Sequence, residues 1–312
     1  MMADGLSPII SENWKDKFVK LICDIENCGF RATGLTLVEL NGKIETTKHN
    51  TNATEFFKRE NVKTLLEKDF QTMIGHCRFP TKGDVNFQVN NHPFAYGNTV
   101  IVHQGILNND EELKKKYDFK PEGETDSWII VHLIEKYRSE GKSMLDAIAQ
   151  AHSELKGSWG VALVDVLEPE KVYLFCHEKS FKVIYFPEEE MFMFSTEANK
   201  LDKYTLDLQT HFDYFDEMRE LRTAECTVKD EECLVLGGEN EVEKWTLPEP
   251  VNWWGGKGKY KFGDGYGYSS KKDEEYWENW HKKDEHGGKK GRHAMHGNKV
   301  LALPEKVSVK IH

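Results

Sequence analysis

The sequence lacks any uninterrupted apolar stretch near the ~20 residues that cross a bilayer as a helix. Its opening residues, MMADGLSPII, hold neither a basic start nor the apolar run that directs export. Membrane residence and secretion are therefore not expected. The six cysteines (23, 28, 77, 176, 226 and 233) include no CxxC pair. That spacing argues against a zinc ribbon or a disulfide framework and fits a reduced, cytoplasmic setting. The histidines near the end of the chain, His281, His286, His293 and His296, match no defined ligand spacing, so no metal is expected, and no cofactor either. Leu, Ile and Val are absent between Asn252 and Asn298, where Gly, Lys, Tyr, Trp and His dominate. Such a stretch cannot bury enough aliphatic surface to fold alone and reads as a docking or self-association segment for a protein partner. There is no internal repeat.

The formal net charge is −11, unevenly spread. Residues 248–312 carry 13 Lys/Arg against 9 Asp/Glu, and the rest of the chain 29 against 44. An acidic body argues against nucleic acid as the main ligand.

Within that body, apolar spacing marks the elements. Pro8-Ile9-Ile10 reads as a short strand. Ser11 is placed to cap a helix to about Asn27, with Trp14, Phe18, Leu21, Ile22 and Ile25 on one face. Residues 33–40 and 43–48 form a hairpin around Asn41-Gly42. One or two short helices follow at 53–68, then strands near 71–76 and 99–104. Helices are expected from Asn109 to Tyr117, from Glu124 or Thr125 through Tyr137, and from Ser143 to Leu155. Strands at 158–166, 171–176, 181–186 and 191–195 come next, with turns at Glu168-Pro169-Glu170 and Pro187-Glu188. A helical piece at 197–204 and strands at 225–229 and 232–236 complete the body. Residues 299–311 regain strand character and are suited to a sheet edge. Strands and helices come in blocks rather than in βα alternation, which predicts an α+β or layered fold with mixed or antiparallel sheets. The expected division is a body at 1–247, the Gly/aromatic/Lys-rich extension at 248–298 and a short terminal strand segment at 299–312.

Chemistry concentrates in residues 75–109. His76-Cys77-Arg78-Phe79-Pro80-Thr81, Asn90-Asn91-His92-Pro93 and His103-Gln104-Gly105 fall at strand ends or in loops, as pocket residues do. Gly123-Glu124-Thr125-Asp126 follows at a helix start. GHCRFPTKG resembles the HTRxATHG segment of class II glutamine amidotransferases, domains of the N-terminal-nucleophile hydrolase type such as the glutaminase domain of glucosamine-6-phosphate synthase. NNHPF resembles their NAHP, VHQGILNN their VHNGIIxN, and GETDSWIIVHLI their SETD helix start. LKGSWGVALVDVLEPEKVYLF, FKVIYFPEEEMFMFSTE and ENCGFRATGLTLVE resemble further family segments in the same order, over roughly residues 5–236. The resemblance implies a four-layer αββα sandwich and a pocket for glutamine or a similar amino acid.

In that family an N-terminal cysteine thiolate attacks the glutamine amide, its own α-amine acting as base. A side-chain amide and a backbone N–H stabilise the oxyanion. An Arg forks the substrate carboxylate and an Asp holds its ammonium. By motif, Arg78 matches the carboxylate clamp, Thr81 its neighbouring hydroxyl and Asp126 the ammonium partner. Gly105 matches the oxyanion-hole glycine, and Asn90 and His92 the pocket-lining pair. The bond-breaking half departs from the pattern. No cysteine precedes Cys23, aligning Ile9-Ile10-Ser11 with the family's first strand places Asp4 at the nucleophile position, and Gln104 replaces the oxyanion Asn. Cys77 is turned to the face opposite Arg78 by strand alternation. His92 reads as a structural hydrogen-bonder rather than a catalyst, and Asp126 can serve as helix cap and ligand contact together. The leading expectation is a glutaminase-deficient protein that binds an amino acid and acts in binding, regulation or structure. The alternatives are an active amidotransferase with an unusual nucleophile, and a structural component of an assembly that binds nothing.

Overall fold

The structure is a computed structural model that describes residues 2–4, 12–186, 191–210, 224–237, 241–250 and 306–310. One sheet contains β1 (Met2–Asp4), β2 (Ala32–Glu39), β3 (Ile44–His49), β4 (Phe70–Arg78), β9 (Phe181–Phe186), β10 (Met191–Ser195) and β11 (Ala224–Val228). Its strand order is β11-β9-β10-β1-β4-β2-β3. The other contains β5 (Phe94–Tyr96), β6 (Thr99–Leu107), β7 (Gly157–Asp165), β8 (Glu168–His177), β12 (Glu232–Leu236), β13 (Glu241–Thr246) and β14 (Lys306–Lys310). Its order is β14-β13-β12-β8-β7-β6-β5. Neighbouring strands pair antiparallel throughout.

The two-residue alternation of each strand sorts its side chains into layers. On β6 and β7, Val100, Val102, Ala162 and Val164 turn inward, where they pack with Ile74, Val183 and Phe192 of the first sheet. Ile101, Val161 and Leu163 turn outward against α5 (Ser127–Ser139) and α6 (Met144–Glu154). On the far side, Leu35, Leu37, Met73 and Cys77 meet Phe18, Leu21 and Ile22 of α1 (Glu12–Asp24), with α2 (Ala53–Phe56), α3 (Glu60–Leu66) and α7 (Ala198–Thr210) in the same layer. The result is helix, sheet, sheet, helix: the four-layer αββα sandwich the motifs imply. The remaining helix, α4 (Asp110–Tyr117), packs Leu113 into the layer of α5 and α6.

Local signals held where they had a chemical cause. Asn41-Gly42 turns the β2–β3 hairpin, closed by Glu39 N–H to Lys43 O at 2.8 Å. Ser143 caps α6 by accepting from Asp146 N–H. Three expectations are corrected. The turn after β7 lies at Val166-Leu167, and Glu168-Pro169-Glu170 already belongs to β8, because the Asp165 carboxylate takes Leu167 N–H and starts the reversal earlier. The helix expected from Glu124 or Thr125 begins at Ser127, with Asp126 as its cap. Strands β1, β5 and β13 were not anticipated, since two are three residues long and the third, Glu241–Thr246, is mostly polar. The strand expected at Pro8–Ile10, the cap at Ser11, the turn at Pro187-Glu188 and the 248–298 extension beyond Pro250 lie outside the described residues. Lys306–Lys310 forms the outer strand of its sheet, the edge position foreseen for 299–311.

No helix among the described residues is long and apolar enough to cross a membrane.

Candidate functional site

Strands β4 and β6 face each other across the inner layer, and the motif residues cluster at one end of the pair. β4 delivers Arg78 at its last position, and alternation sends Cys77 to the opposite side, where its thiol donates to Ile22 O of α1 at 3.4 Å. Arg78 is buried, and its guanidinium organises the following loop. Nη1 donates to Asn91 Oδ1 at 2.7 Å, and Nη2 to Lys82 O at 2.6 Å and Gly83 O at 3.0 Å. Burial outweighs the nearby Asp126 and Asp84 carboxylates and lowers the guanidinium to about 10, so it stays charged at neutral pH.

Asn90 ties that loop to the segment before α5. Its amide donates to Asp84 O and Glu124 Oε2, both at 3.0 Å, and its carbonyl accepts Glu124 N–H at 2.8 Å. Thr81 is half-buried in the same loop and makes no side-chain hydrogen bond among the described residues. Asp126 is buried; its Oδ1 accepts Ser127 N–H at 2.9 Å and its Oδ2 accepts Leu107 N–H at 2.8 Å. The Asp therefore caps α5 and clamps the end of β6, two residues beyond Gly105.

Gly105 has φ +144, and a Cβ built there falls 2.0 Å from Ser158 O on β7. Both the backbone angle and the close approach require glycine. Gly105→Ala is expected to lower stability by about 3 kcal/mol or more, read as a drop in the urea midpoint without a change of m-value. Beside it, Gln104 Nε2 donates to Glu197 Oε1 at 3.4 Å.

Three imidazoles lie beneath the site. His92 and His103 both contact Ser127 Oγ, through Nε2 at 3.2 Å and Nδ1 at 2.9 Å. The rings of His76 and His92 are 3.9 Å apart. Burial lowers all three, His76 to about 3, with neighbouring imidazoles and Arg78 adding to the effect at His76 and His92. They are neutral at physiological pH, so His92 acts as a hydrogen-bonding strut.

Asp4 does not join this group. Antiparallel pairing sets Met2 opposite Met73, Ala3 opposite Thr72 and Asp4 opposite Met191, so β1 runs away from Arg78. The start of the strand, not Asp4, is directed toward the Arg78 end of β4. Sequence reading missed the roles of Asn91, Glu124, Ser127 and Glu197. Asn91 and Glu124 stood inside the recognised clusters, but only their folded partners show what they hold. No group of His, Cys, Asp and Glu among the described residues is arranged to hold a metal ion.

Among the described side chains, the thiols are unsuited to attack. Burial raises Cys23, Cys77, Cys176 and Cys233, and it raises Cys28, beside Glu197, to about 11.

The sequence matches the profile of the glutamine amidotransferase domain over residues 80–203. It is 32% identical over 154 residues to the glutamine–fructose-6-phosphate aminotransferase of Aeropyrum pernix, covering 48% of this chain and 24% of that protein. The enzyme of the same name from Aquifex aeolicus is 36% identical over 156 residues, covering 47% and 25%. The chain thus spans about a quarter of the length of these relatives. Among solved structures, the glutamine phosphoribosylpyrophosphate amidotransferase of B. subtilis superposes with a TM-score of 0.57 at 18% identity, over 76% of this chain and 48% of that one. That likeness concerns the fold.

Proposed function

We propose, for a chain whose body is a class II glutamine amidotransferase domain, that it binds glutamine or a close analogue and has lost efficient hydrolysis of the amide. One observation carries the reading. Arg78 and Asp126 are buried opposite charges near enough to interact electrostatically, yet neither forms an ion pair among the described residues. Burying two charges costs free energy that a direct pair would partly offset. Separate charges of this kind complement the carboxylate and ammonium of an amino acid.

The chemistry for hydrolysis is weakened. Gln104 is held by Glu197, and its extra methylene displaces the amide from where an Asn would present it. Loss of one oxyanion donor costs ~100-fold or more in rate. The raised thiols of Cys28 and Cys77 leave little thiolate at neutral pH.

Calorimetry with glutamine, run beside an assay for released ammonia, tests this. The expected result is saturable binding with no ammonia above a heat-treated control. Turnover that disappears in Cys28→Ser would establish instead an active amidohydrolase with an unusual nucleophile. Absence of binding would favour the purely structural role.

A further inference from the structure

We propose that Lys48 is a positioning residue of this pocket, its ammonium fixing the Asn91–Pro93 segment so that Asn91 holds the Arg78 fork. The inference rests on the amino-acid-binding reading above. Lys48 lies on β3, the edge strand of its sheet, where a lysine ordinarily points to water and discourages edge pairing. Here it is half-buried. Nζ donates to Asn91 O at 2.8 Å and to Pro93 O at 2.9 Å, and it stands 5.3 Å from the centre of the Phe94 ring. The two carbonyls flank His92, so a single cation grips the loop on both sides of that residue.

Gly34 makes the reach possible. It is opposite Lys48 in the β2–β3 register, and a Cβ there would fall 2.1 Å from His92 O and 2.8 Å from Lys48 Cβ. With no side chain at that position, the loop lies directly on the sheet and its carbonyls come within range of the ammonium. Asn91 is then held at four points, its own N–H donating to Gln88 O at 3.0 Å. Lys48 takes its backbone carbonyl, Arg78 Nη1 its side-chain oxygen at 2.7 Å, and Val85 O its amide at 2.8 Å. No carboxylate is hydrogen-bonded to Lys48 among the described residues, so its contacts serve the loop rather than an ion pair.

The charged groups around it are Glu122, which favours the ammonium, and Arg78, which opposes it; His92 is a neutral neighbour. Burial is the largest influence and lowers Lys48 to about 8. The grip therefore weakens as the ammonium deprotonates.

The test is calorimetry with glutamine on the full chain, as wild type, Lys48→Met and Lys48→Arg, with thermal unfolding of each. Lys48→Met is expected to weaken binding about tenfold or more at temperatures where it remains folded. Lys48→Arg is expected to restore much of that loss. Between pH 7 and 9 the wild-type affinity is expected to fall more steeply than that of Lys48→Arg, whose charge persists. The ammonium of glutamine titrates equally for both proteins, so the difference between the two profiles is the readout. Parallel profiles, or Lys48→Met binding within twofold of wild type, would overturn the proposal while leaving the pocket intact. Wild-type protein that does not bind glutamine would overturn both. A merely structural lysine would lower the melting temperature and leave the profiles parallel.

Discussion

Arg78→Ala is expected to weaken glutamine binding by about 2–5 kcal/mol, from roughly thirtyfold to several thousandfold in Kd. The guanidinium is a buried cation near Asp126, and on the amino-acid-binding reading its removal would leave the ligand carboxylate without a partner. The same change also strips donors from Asn91 Oδ1, Lys82 O and Gly83 O, so the loop will lose order and the melting temperature will fall. Arg78→Lys separates the two effects. An ammonium can hold one or two of those carbonyls and keep the charge, but it cannot reproduce the planar fork. Its stability is expected near wild type and its affinity still at least tenfold down. Calorimetry paired with thermal unfolding decides it; wild-type affinity in Arg78→Ala would remove Arg78 from the pocket.

The second large effect is acid lability. His76, His92, His103 and His152 are held below the ordinary histidine value of 6.5, chiefly by burial; His76 and His152 lie at about 3. The unfolded chain takes up protons at these positions below pH 6.5, while the native protein does not. Stability is therefore fully present above 6.5 and is lost as pH falls from 6.5 toward 3. Each such group contributes a loss of up to about 1.4 kcal/mol per pH unit. By pH 5 His76 and His152 alone reach about 4 kcal/mol, a large share of the net stability of a typical domain, and His92 and His103 add to the loss in the same direction. Most carboxylates still hold their charge in that interval, which isolates the histidines. Urea unfolding at pH 7.5, 6.5, 5.5 and 5.0 should show a steep fall in midpoint at constant m-value. A flat profile would mean that these imidazoles protonate in the native state.

How far the sequence reached depended on whether a signal was local. Ser143 capping α6 and Asn41-Gly42 turning β2 into β3 involve residues two to four apart, and both stood in the sequence. Strand alternation likewise separates Cys77 from Arg78, and the folded chain keeps them on opposite faces. The short strands β1 and β5 escaped because three residues carry no period, and β13 because Glu and Lys occupy half of it. Among the site residues, Arg78, Asn90, His92, Gly105 and Asp126 stood out by motif alone. Their pairings did not. Glu124 is 34 residues from Asn90, Lys48 is 43 from Asn91, and Glu197 is 93 from Gln104.

The sequence by itself determined the layered fold and singled out the motif residues proposed to line the pocket, because alternation, caps, turns and motif order are properties of short segments. Tertiary structure alone decided what each polar group holds: that Arg78 grips its own loop, that Asp126 clamps both α5 and β6, that the register of β1 sets Asp4 at the end farther from Arg78, and that Lys48 reaches in from an edge strand. The reason is that a buried polar group must find its partner wherever the packed chain brings one. That choice depends on three-dimensional proximity, which no spacing along the chain encodes.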